Sequence, residues 1–170
     1  ASLGTLGAIT PKGVVNLGFT TPDPISLHKN LQTLAADGIE YLAMEASSHA
    51  LHQKRMHGVN LKAAGFSNLT QDHLDYHKTM DEYAAAKAIL FKDFLKDGQP
   101  AVINADAEYA PFFESVAKEH NLDFDDNKCP WNRLARVASR EKNEELGRTS
   151  GYFGEEREVL RLFAELHSIN

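Results

Sequence analysis

Cysteine is almost absent from this sequence: among 170 residues, Cys129 is the only one. A single cysteine cannot form an internal disulfide, and no partner follows it at a metal-binding spacing. Disulfides are typical of oxidising compartments. The composition therefore favours a reducing compartment, and we expect a cytoplasmic location.

Long apolar runs and clusters of basic residues are missing as well. No run approaches the roughly 18 residues of a membrane span, and the first residues lack the basic and apolar regions of a secretion signal. The 18 Lys and Arg and 24 Asp and Glu give a net charge of -6 without a block of like charge. Because nucleic-acid binding requires clustered positive charge, we expect a soluble protein with neither a membrane span nor a nucleic-acid partner.

A complete phosphate-binding loop is the third absence. The pattern G-x-x-x-x-G-K-[ST] does not occur, and the stretch Gly4-Thr5-Leu6-Gly7 is too short and has no lysine. Any nucleotide site within these residues is therefore expected to be incomplete.

Apolar segments alternate with amphipathic helices along the chain. We predict strands within Leu3–Ile9, Ile39–Met44 (buried on both faces), Leu61–Phe66 and Ala101–Asn104, with a turn at Pro11–Gly13. We predict helices over Pro24–Asp37 after the cap Asp23, over Thr79–Lys96, and after the cap Asp106. This alternation predicts an α/β fold with a mostly parallel sheet flanked by helices, and ligands beyond the carboxyl ends of the strands.

The chain length and a change in composition suggest one domain with an appended segment. A chain of 170 residues is long enough for one domain with a core. We assign residues 1–124 to this domain. Residues 125–170 are charge-dense and carry one amphipathic helical pattern near the C-terminus, and we leave them as an unassigned helical segment.

Polar side chains follow two of the predicted strands. Glu45 comes directly after the first apolar run. The next strand is followed by a cluster of carboxylates and imidazoles: Asp72, His73, Asp75 and His77. Such groups are common ligands of divalent ions, so a metal-dependent hydrolase is one hypothesis. The alternative is that these are ordinary loop residues exposed to solvent.

Lys87 occupies an unusual place, in line with the apolar stripe of the predicted helix Thr79–Lys96. Burial disfavours the charged ammonium, and a neutral amine can react with carbon dioxide to form a carbamate. The alternative is a lysine whose charged end reaches water.

Three further side chains are suited to an anionic ligand. Arg55 could clamp a phosphate or carboxylate through its planar guanidinium, although an exposed surface arginine is the commoner case. Thr20 and Thr21 immediately precede a predicted helix N-terminus, where an oxyanion is favoured. Helix capping alone would explain Asp23 but would leave the two threonines without a role.

The order of four motifs resembles the central domain of the UDP-N-acetylmuramoyl-tripeptide synthetases, in the Mur ligase family of peptidoglycan synthesis. The motifs are GTLG, TTPDP, MEASSHALHQKR and FSNLTQDHLDYHKTMDEYAAAKAILF, between Leu3 and about Asp106. The resemblance implies a P-loop NTPase-like α/β domain. It also implies an ATP-dependent ligase that adds meso-diaminopimelate or L-lysine to UDP-N-acetylmuramoyl-L-alanyl-D-glutamate.

The resemblance also implies roles for particular residues. Glu45 would bind one Mg2+, while His73 and a carbamate on Lys87 would bind a second; the latter two residues would be catalytic. Asn68 would lie near the ATP. The residues expected to contact the UDP-muramoyl dipeptide are Thr20, Thr21, Ser47, Gln53 and Arg55.

The resemblance covers only part of such an enzyme. The family's phosphate loop is expected upstream of Ala1 and its amino-acid-selecting domain downstream, and we find no family motif beyond about Leu122. We therefore expect negligible ligase activity from these residues alone, and the choice of diamino acid stays open. A non-catalytic domain that binds UDP-muramoyl peptide or Mg2+ is the second hypothesis.

Overall fold

The computed structural model describes residues 1–15, 18, 20–71, 73–104 and 107–124. In chain order the strands are β1 (Ser2–Gly4), β2 (Gly7–Thr10), β3 (Gly13–Val15), β4 (Ala43–Met44), β5 (Ala64–Phe66) and β6 (Ala101–Ile103). The helices are α1 (Pro24–Ala36), α2 (Ser48–His52), α3 (Leu74–His77), α4 (Met80–Phe94) and α5 (Ala110–Glu119). Residues 125–170, with the predicted C-terminal helix, lie outside the described residues.

The described strands form two sheets rather than the mostly parallel sheet that we predicted. One sheet has the order β3-β2-β1-β4, with antiparallel pairing throughout except for the parallel pair β1 and β4. The second sheet is the parallel pair β5 and β6. The predicted turn at Pro11–Gly13 is confirmed. Together with a second tight turn between β1 and β2 it folds the N-terminal segment into an antiparallel meander, so the prediction of a mostly parallel sheet is wrong there. Gly7 and Gly13 adopt the positive φ angles, 92° and 126°, that such turns require.

The predicted strand Ile39–Met44 is shorter than expected. Only Ala43 and Met44 pair with a neighbouring strand, and Tyr41 is 64% exposed. The reason is the end of α1, where Gly38 takes a positive φ and the Ile39 amide donates to the Leu34 carbonyl. This helix-terminating turn uses the first residues of the apolar run. The prediction of a strand buried on both faces is therefore wrong.

All three predicted helices are present, and two of their three predicted caps are confirmed. The Asp23 side chain accepts hydrogen bonds from the Ile25 and Ser26 amides at the start of α1. Thr79 accepts one from the Glu82 amide at the start of α4. The third helix, α5, begins at Ala110 after Tyr109, without a side-chain cap. The prediction that Asp106 caps it is therefore wrong, and that residue itself lies outside the described part of the chain.

The core consists of two apolar clusters that both contact α4. Phe91 belongs to the first cluster, where Phe66 and Phe113 stack with ring centroids 3.8 Å apart. The second cluster surrounds Leu3, Leu27 and Leu51, and side chains of α4 pack against it. Because α4 is held on both sides, its position relative to β4 and α2 is fixed. Among the described residues, no helix is long and apolar enough to cross a membrane.

Candidate functional site

Glu45 follows β4 at the carboxyl end of the parallel pair β1 and β4, as its position after an apolar run predicted. Its Oε2 atom accepts hydrogen bonds from the Thr5 amide at 3.0 Å and the Thr5 hydroxyl at 2.8 Å. Thr5 lies in the turn after β1, and the sequence predicted no role for it. The carboxylate also lies against Gly4, where a Cβ atom would overlap it.

Thr20 and Thr21 lie beside Glu45. The Thr20 and Thr5 hydroxyls are 3.1 Å apart. The Thr21 hydroxyl donates to the Glu45 carbonyl at 2.9 Å and accepts from the Ser47 amide at 3.3 Å. Thr21 is 1% exposed, so its hydroxyl serves mainly to hold the segment after β4. Thr20 is the more accessible of the two.

Arg55 and Gln53 join the same group of residues. The Arg55 guanidinium donates from Nε and Nη2 to the Gln53 side-chain oxygen, at 2.9 Å and 2.6 Å. Its Nη1 donates to the Thr21 carbonyl at 3.1 Å. The Gln53 amide nitrogen in turn donates to the Tyr76 hydroxyl at 3.3 Å. These bonds fix the plane of the guanidinium next to the two threonines.

Ser47 is the N-cap of α2, and its hydroxyl accepts a hydrogen bond from the Ala50 amide at 3.2 Å. If Ser47 also contacts a substrate as predicted, the same hydroxyl has to cap the helix and bind the substrate. A hydroxyl can do so because it has two lone pairs and one hydrogen.

Lys87 reaches the same strand end from α4. Its Nζ donates to the carbonyl of Ala46 at 3.3 Å, and Ala46 is the residue that follows Glu45. The neighbours Ala86 and Ala88 on the helix are buried, while Lys87 itself is partly buried. The lysine is thus directed towards the segment that carries Glu45.

His73 lies among aromatic side chains between α2 and α4. It precedes α3 with a left-handed φ of 56°. Its ring meets that of His49 edge-on, with centroids 4.9 Å apart, and the His49 ring lies 4.1 Å from that of Tyr76. The sequence offered no pattern that would predict the contact with His49.

His77 faces inward rather than towards a ligand. It is 5% exposed, its Nε2 lies 2.8 Å from the Ser48 hydroxyl, and its ring stacks on Tyr83. Burial, followed by repulsion from His49, His52 and His73, holds the pKa of His77 below its ordinary value. A neutral, hydrogen-bonded imidazole of this kind has a structural role.

The hypothesis of a His and Asp metal site finds no geometric support. Among the residues that the structure describes, no three His, Cys, Asp or Glu side chains are grouped so that they could hold a metal ion. His77 is engaged with Ser48, and Asp75 is exposed on α3. Asp72 lies outside the described residues.

Asn68 is exposed in the segment that follows β5, at the carboxyl end of the second sheet. Its side-chain oxygen accepts from the neighbouring Leu69 amide at 2.8 Å. The hydrogen bonds described above connect the segment around Glu45 with Thr20, Thr21, Ser47, Gln53, Arg55 and Lys87. None of them includes Asn68 or His73.

The sequence matches the family described as "Mur ligase middle domain" over residues 1–156. This match extends past Leu122, where we expected the resemblance to end. Ligases from Rhizobium meliloti, Agrobacterium fabrum and Bradyrhizobium diazoefficiens are respectively 50%, 47% and 46% identical over 123, 123 and 122 residues. Each is named a UDP-N-acetylmuramoyl-L-alanyl-D-glutamate--2,6-diaminopimelate ligase. Each alignment covers 72% of this chain and 25% of the relative, so the chain spans about a quarter of the length of these relatives.

Proposed function

Because the chain belongs to the Mur ligase middle-domain family, we propose that it works as part of an ATP-dependent ligase. This ligase joins 2,6-diaminopimelate to UDP-N-acetylmuramoyl-L-alanyl-D-glutamate, a step of peptidoglycan synthesis. The named relatives support diaminopimelate over L-lysine as the added amino acid. The carrying observation is that most of the residues expected to bind the muramoyl substrate meet around Glu45 through hydrogen bonds.

Arg55 is suited to bind the anionic part of this substrate. Arginine has five N–H donors in a planar fork, and three of its donor atoms already contact Gln53 and Thr21. These contacts hold the fork in place before a ligand arrives, so less rotamer entropy is lost on binding. The remaining N–H groups can then meet a phosphate or carboxylate oxygen, with Thr20 beside them.

The carboxylate of Glu45 and a carbamate on Lys87 offer the oxygen ligands that fit magnesium. Mg2+ prefers oxygen ligands and needs only one or two protein carboxylates, because it keeps several waters. Glu45 supplies one carboxylate. A carbamate on Lys87 would add an anionic oxygen next to Ala46, and His73 would add an imidazole. When bound, the metal would neutralise charge on the phosphates during transfer.

The carbamate itself requires a neutral amine at Lys87. The ammonium first loses one proton. The neutral nitrogen then attacks carbon dioxide and loses a second proton, so the side chain changes from a cation to an anion. Lys87 is partly buried, and its Nζ lies 3.3 Å from the Ala46 carbonyl, next to Glu45. The charged amine would repel a metal ion, whereas the carbamate would bind it.

The proposed reaction has two steps. The γ-phosphoryl group of ATP passes to the D-glutamate carboxylate, which gives ADP and an acyl phosphate. The amine of diaminopimelate then attacks the acyl carbon and expels phosphate, with loss of a proton from nitrogen. We propose that Thr20, Ser47, Gln53 and Arg55 orient the muramoyl substrate for both steps, that the buried Thr21 contributes by holding the segment after β4, and that Asn68 lies near the ATP. The ATP requirement supports a cytoplasmic location.

The experiment is an amide-formation assay with the longer protein that carries this middle domain. We expect ATP-dependent UDP-muramoyl tripeptide, detected by mass spectrometry, with diaminopimelate and far less with L-lysine. The 170-residue chain alone should form none, since it spans a quarter of its relatives. Absence of product from the longer protein, together with dipeptide binding in calorimetry, would instead support a non-catalytic binding domain.

A further inference from the structure

Thr5 contacts two proposed functional residues at once. Its amide and hydroxyl both donate to Oε2 of Glu45, and the same hydroxyl lies 3.1 Å from that of Thr20. Forty residues separate Thr5 from Glu45 in the chain. The contact is thus made by the pairing of β1 with β4 rather than by a local turn.

The direction of these hydrogen bonds is determined by the donors available. The Thr5 hydroxyl has one hydrogen, which it donates to Glu45. Because that hydrogen is already used, the 3.1 Å contact requires the Thr20 hydroxyl to donate its hydrogen to the Thr5 oxygen. Thr20 would therefore accept a hydrogen bond from an N–H or O–H group of the muramoyl substrate, while Arg55 donates to its anionic oxygens.

Gly4 leaves the space that the same carboxylate occupies. A Cβ atom at Gly4 would overlap the Glu45 carboxyl group, which lies against the backbone there. Both hydrogen bonds that described residues make to the carboxylate fall on Oε2. Oε1, the carboxylate atom nearest the position of a Gly4 Cβ atom, receives neither of them.

We propose that Thr5 is a positioning residue that orients the Glu45 carboxylate for Mg2+ and the Thr20 hydroxyl for the muramoyl substrate. The inference rests on the proposed function, in which Glu45 binds the metal. Thr5 itself touches neither metal nor substrate. It acts by holding the two side chains that do.

The first test replaces Thr5 in the longer protein that carries this domain. Thr5→Val keeps the shape and the amide but removes the hydroxyl, whereas Thr5→Ser keeps the hydroxyl. We measure Mn2+ binding by electron paramagnetic resonance with Mn2+ alone as the probe, and the Mg2+ dependence of amide formation. Thr5→Val should weaken Mn2+ binding about 10-fold or more. Thr5→Ser should bind Mn2+ within about 3-fold of the wild type, because it restores the same bond.

A split between metal affinity and turnover separates positioning from a general loss of structure. At saturating Mg2+, Thr5→Val should recover most of its kcat because Glu45 is still present, while its KM for the muramoyl dipeptide stays raised. Thr33→Val is the matched control, since the Thr33 hydroxyl lies on the exposed face of α1 and donates to the Lys29 carbonyl in the same helix. It should behave as the wild type in every assay.

Gly4→Ala is the second variant, in case Thr5→Val folds poorly. It should lower Mn2+ affinity by displacing the carboxylate. Wild-type Mn2+ affinity in both Thr5→Val and Gly4→Ala, with a loss in Glu45→Gln, would overturn the role of Thr5 and leave the proposed function intact. Wild-type Mn2+ affinity in Glu45→Gln would instead contradict the proposed metal role of Glu45.

Discussion

Lys87 on α4 donates a hydrogen bond to the carbonyl of Ala46, at 3.3 Å and across 41 residues of sequence. This contact joins a helix to the segment after β4, where Glu45 and Ser47 flank Ala46. The contact depends on the packing of α4 against α2, whose N-cap is Ser47. The proposed metal ligands thus come from a strand end and a helix that are far apart in the chain.

Removal of Lys87 should abolish catalysis without unfolding the protein. A carbamate ligand contributes several kcal/mol of charge stabilisation, so Lys87→Ala should reduce kcat about 100-fold or more. Carbon-13 NMR after addition of labelled bicarbonate should show a carbamate signal in the wild type and none in the variant. The control is Lys92→Ala, an exposed lysine in the last turn of the same helix. Full activity in Lys87→Ala would exclude the carbamate.

Arg55→Lys should selectively weaken binding of the muramoyl substrate. Lysine keeps the positive charge but loses the planar fork and its bonds to Gln53 and Thr21. Steady-state kinetics should show KM for the UDP-muramoyl dipeptide about 10-fold higher, with little change in KM for ATP. Lys62→Gln, at an exposed position before β5, should leave both constants unchanged. An unchanged dipeptide KM in Arg55→Lys would remove Arg55 from the substrate site.

His73 and His77 should respond in opposite ways to substitution by glutamine. His77→Gln removes a buried imidazole from its contacts with Ser48 and Tyr83, and should lower the free energy of unfolding by about 1–3 kcal/mol. The folded fraction of this variant should keep most of its kcat. His73→Gln should lose activity with a small change in stability, because His73 is only partly buried.

Denaturant titration and kinetics on both histidine variants are the measurements. If His77→Gln is stable but inactive while His73→Gln is active, the hydrolase-type assignment is favoured over the ligase assignment.

Asp23 should make stability depend on pH at the acidic end. Hydrogen bonds from the side chain and backbone of Ser26, opposed in part by desolvation, hold the pKa of its carboxyl below the ordinary 3.8. The stabilising contribution is therefore present above pH 3.8 and is lost as the pH falls through the lower pKa of the folded state. Asp23→Asn keeps an acceptor for the cap but cannot titrate.

The test of this cap compares unfolding of wild type and Asp23→Asn from about pH 5 to about pH 3. The stability advantage of the wild type should shrink over this range. A constant difference would show that the cap charge does not contribute.

The helices were more predictable from sequence than the sheets, since their caps are local. Asp23 and Thr79 accept hydrogen bonds from amides of residues that follow closely in the chain. The two-sheet arrangement could not be predicted in this way, because strand pairing depends on distant partners. The apolar run before Glu45 indicated a long strand, whereas half of it belongs to the end of α1 and to an exposed segment around Tyr41.

The motifs predicted which residues form the candidate site, and their roles stay predictions; the contacts between these residues could not be predicted. Motif order indicated Glu45, Arg55 and Lys87, and the structure brings them to one strand end. Thr5 was missed because its stretch resembles an incomplete phosphate loop, and no spacing rule relates a turn to a carboxylate 40 residues away. The ring contact between His49 and His73 was missed for the same reason.

The most direct test of the proposed site is a crystal structure of the longer protein with Mg2+, a non-hydrolysable ATP analogue and the UDP-muramoyl dipeptide. We expect the dipeptide against Thr20 and Arg55, metal density at Glu45, and a carbamate on Lys87 that shares a metal with His73. Dipeptide bound away from Arg55, with an unmodified Lys87 and no metal at Glu45, would contradict it.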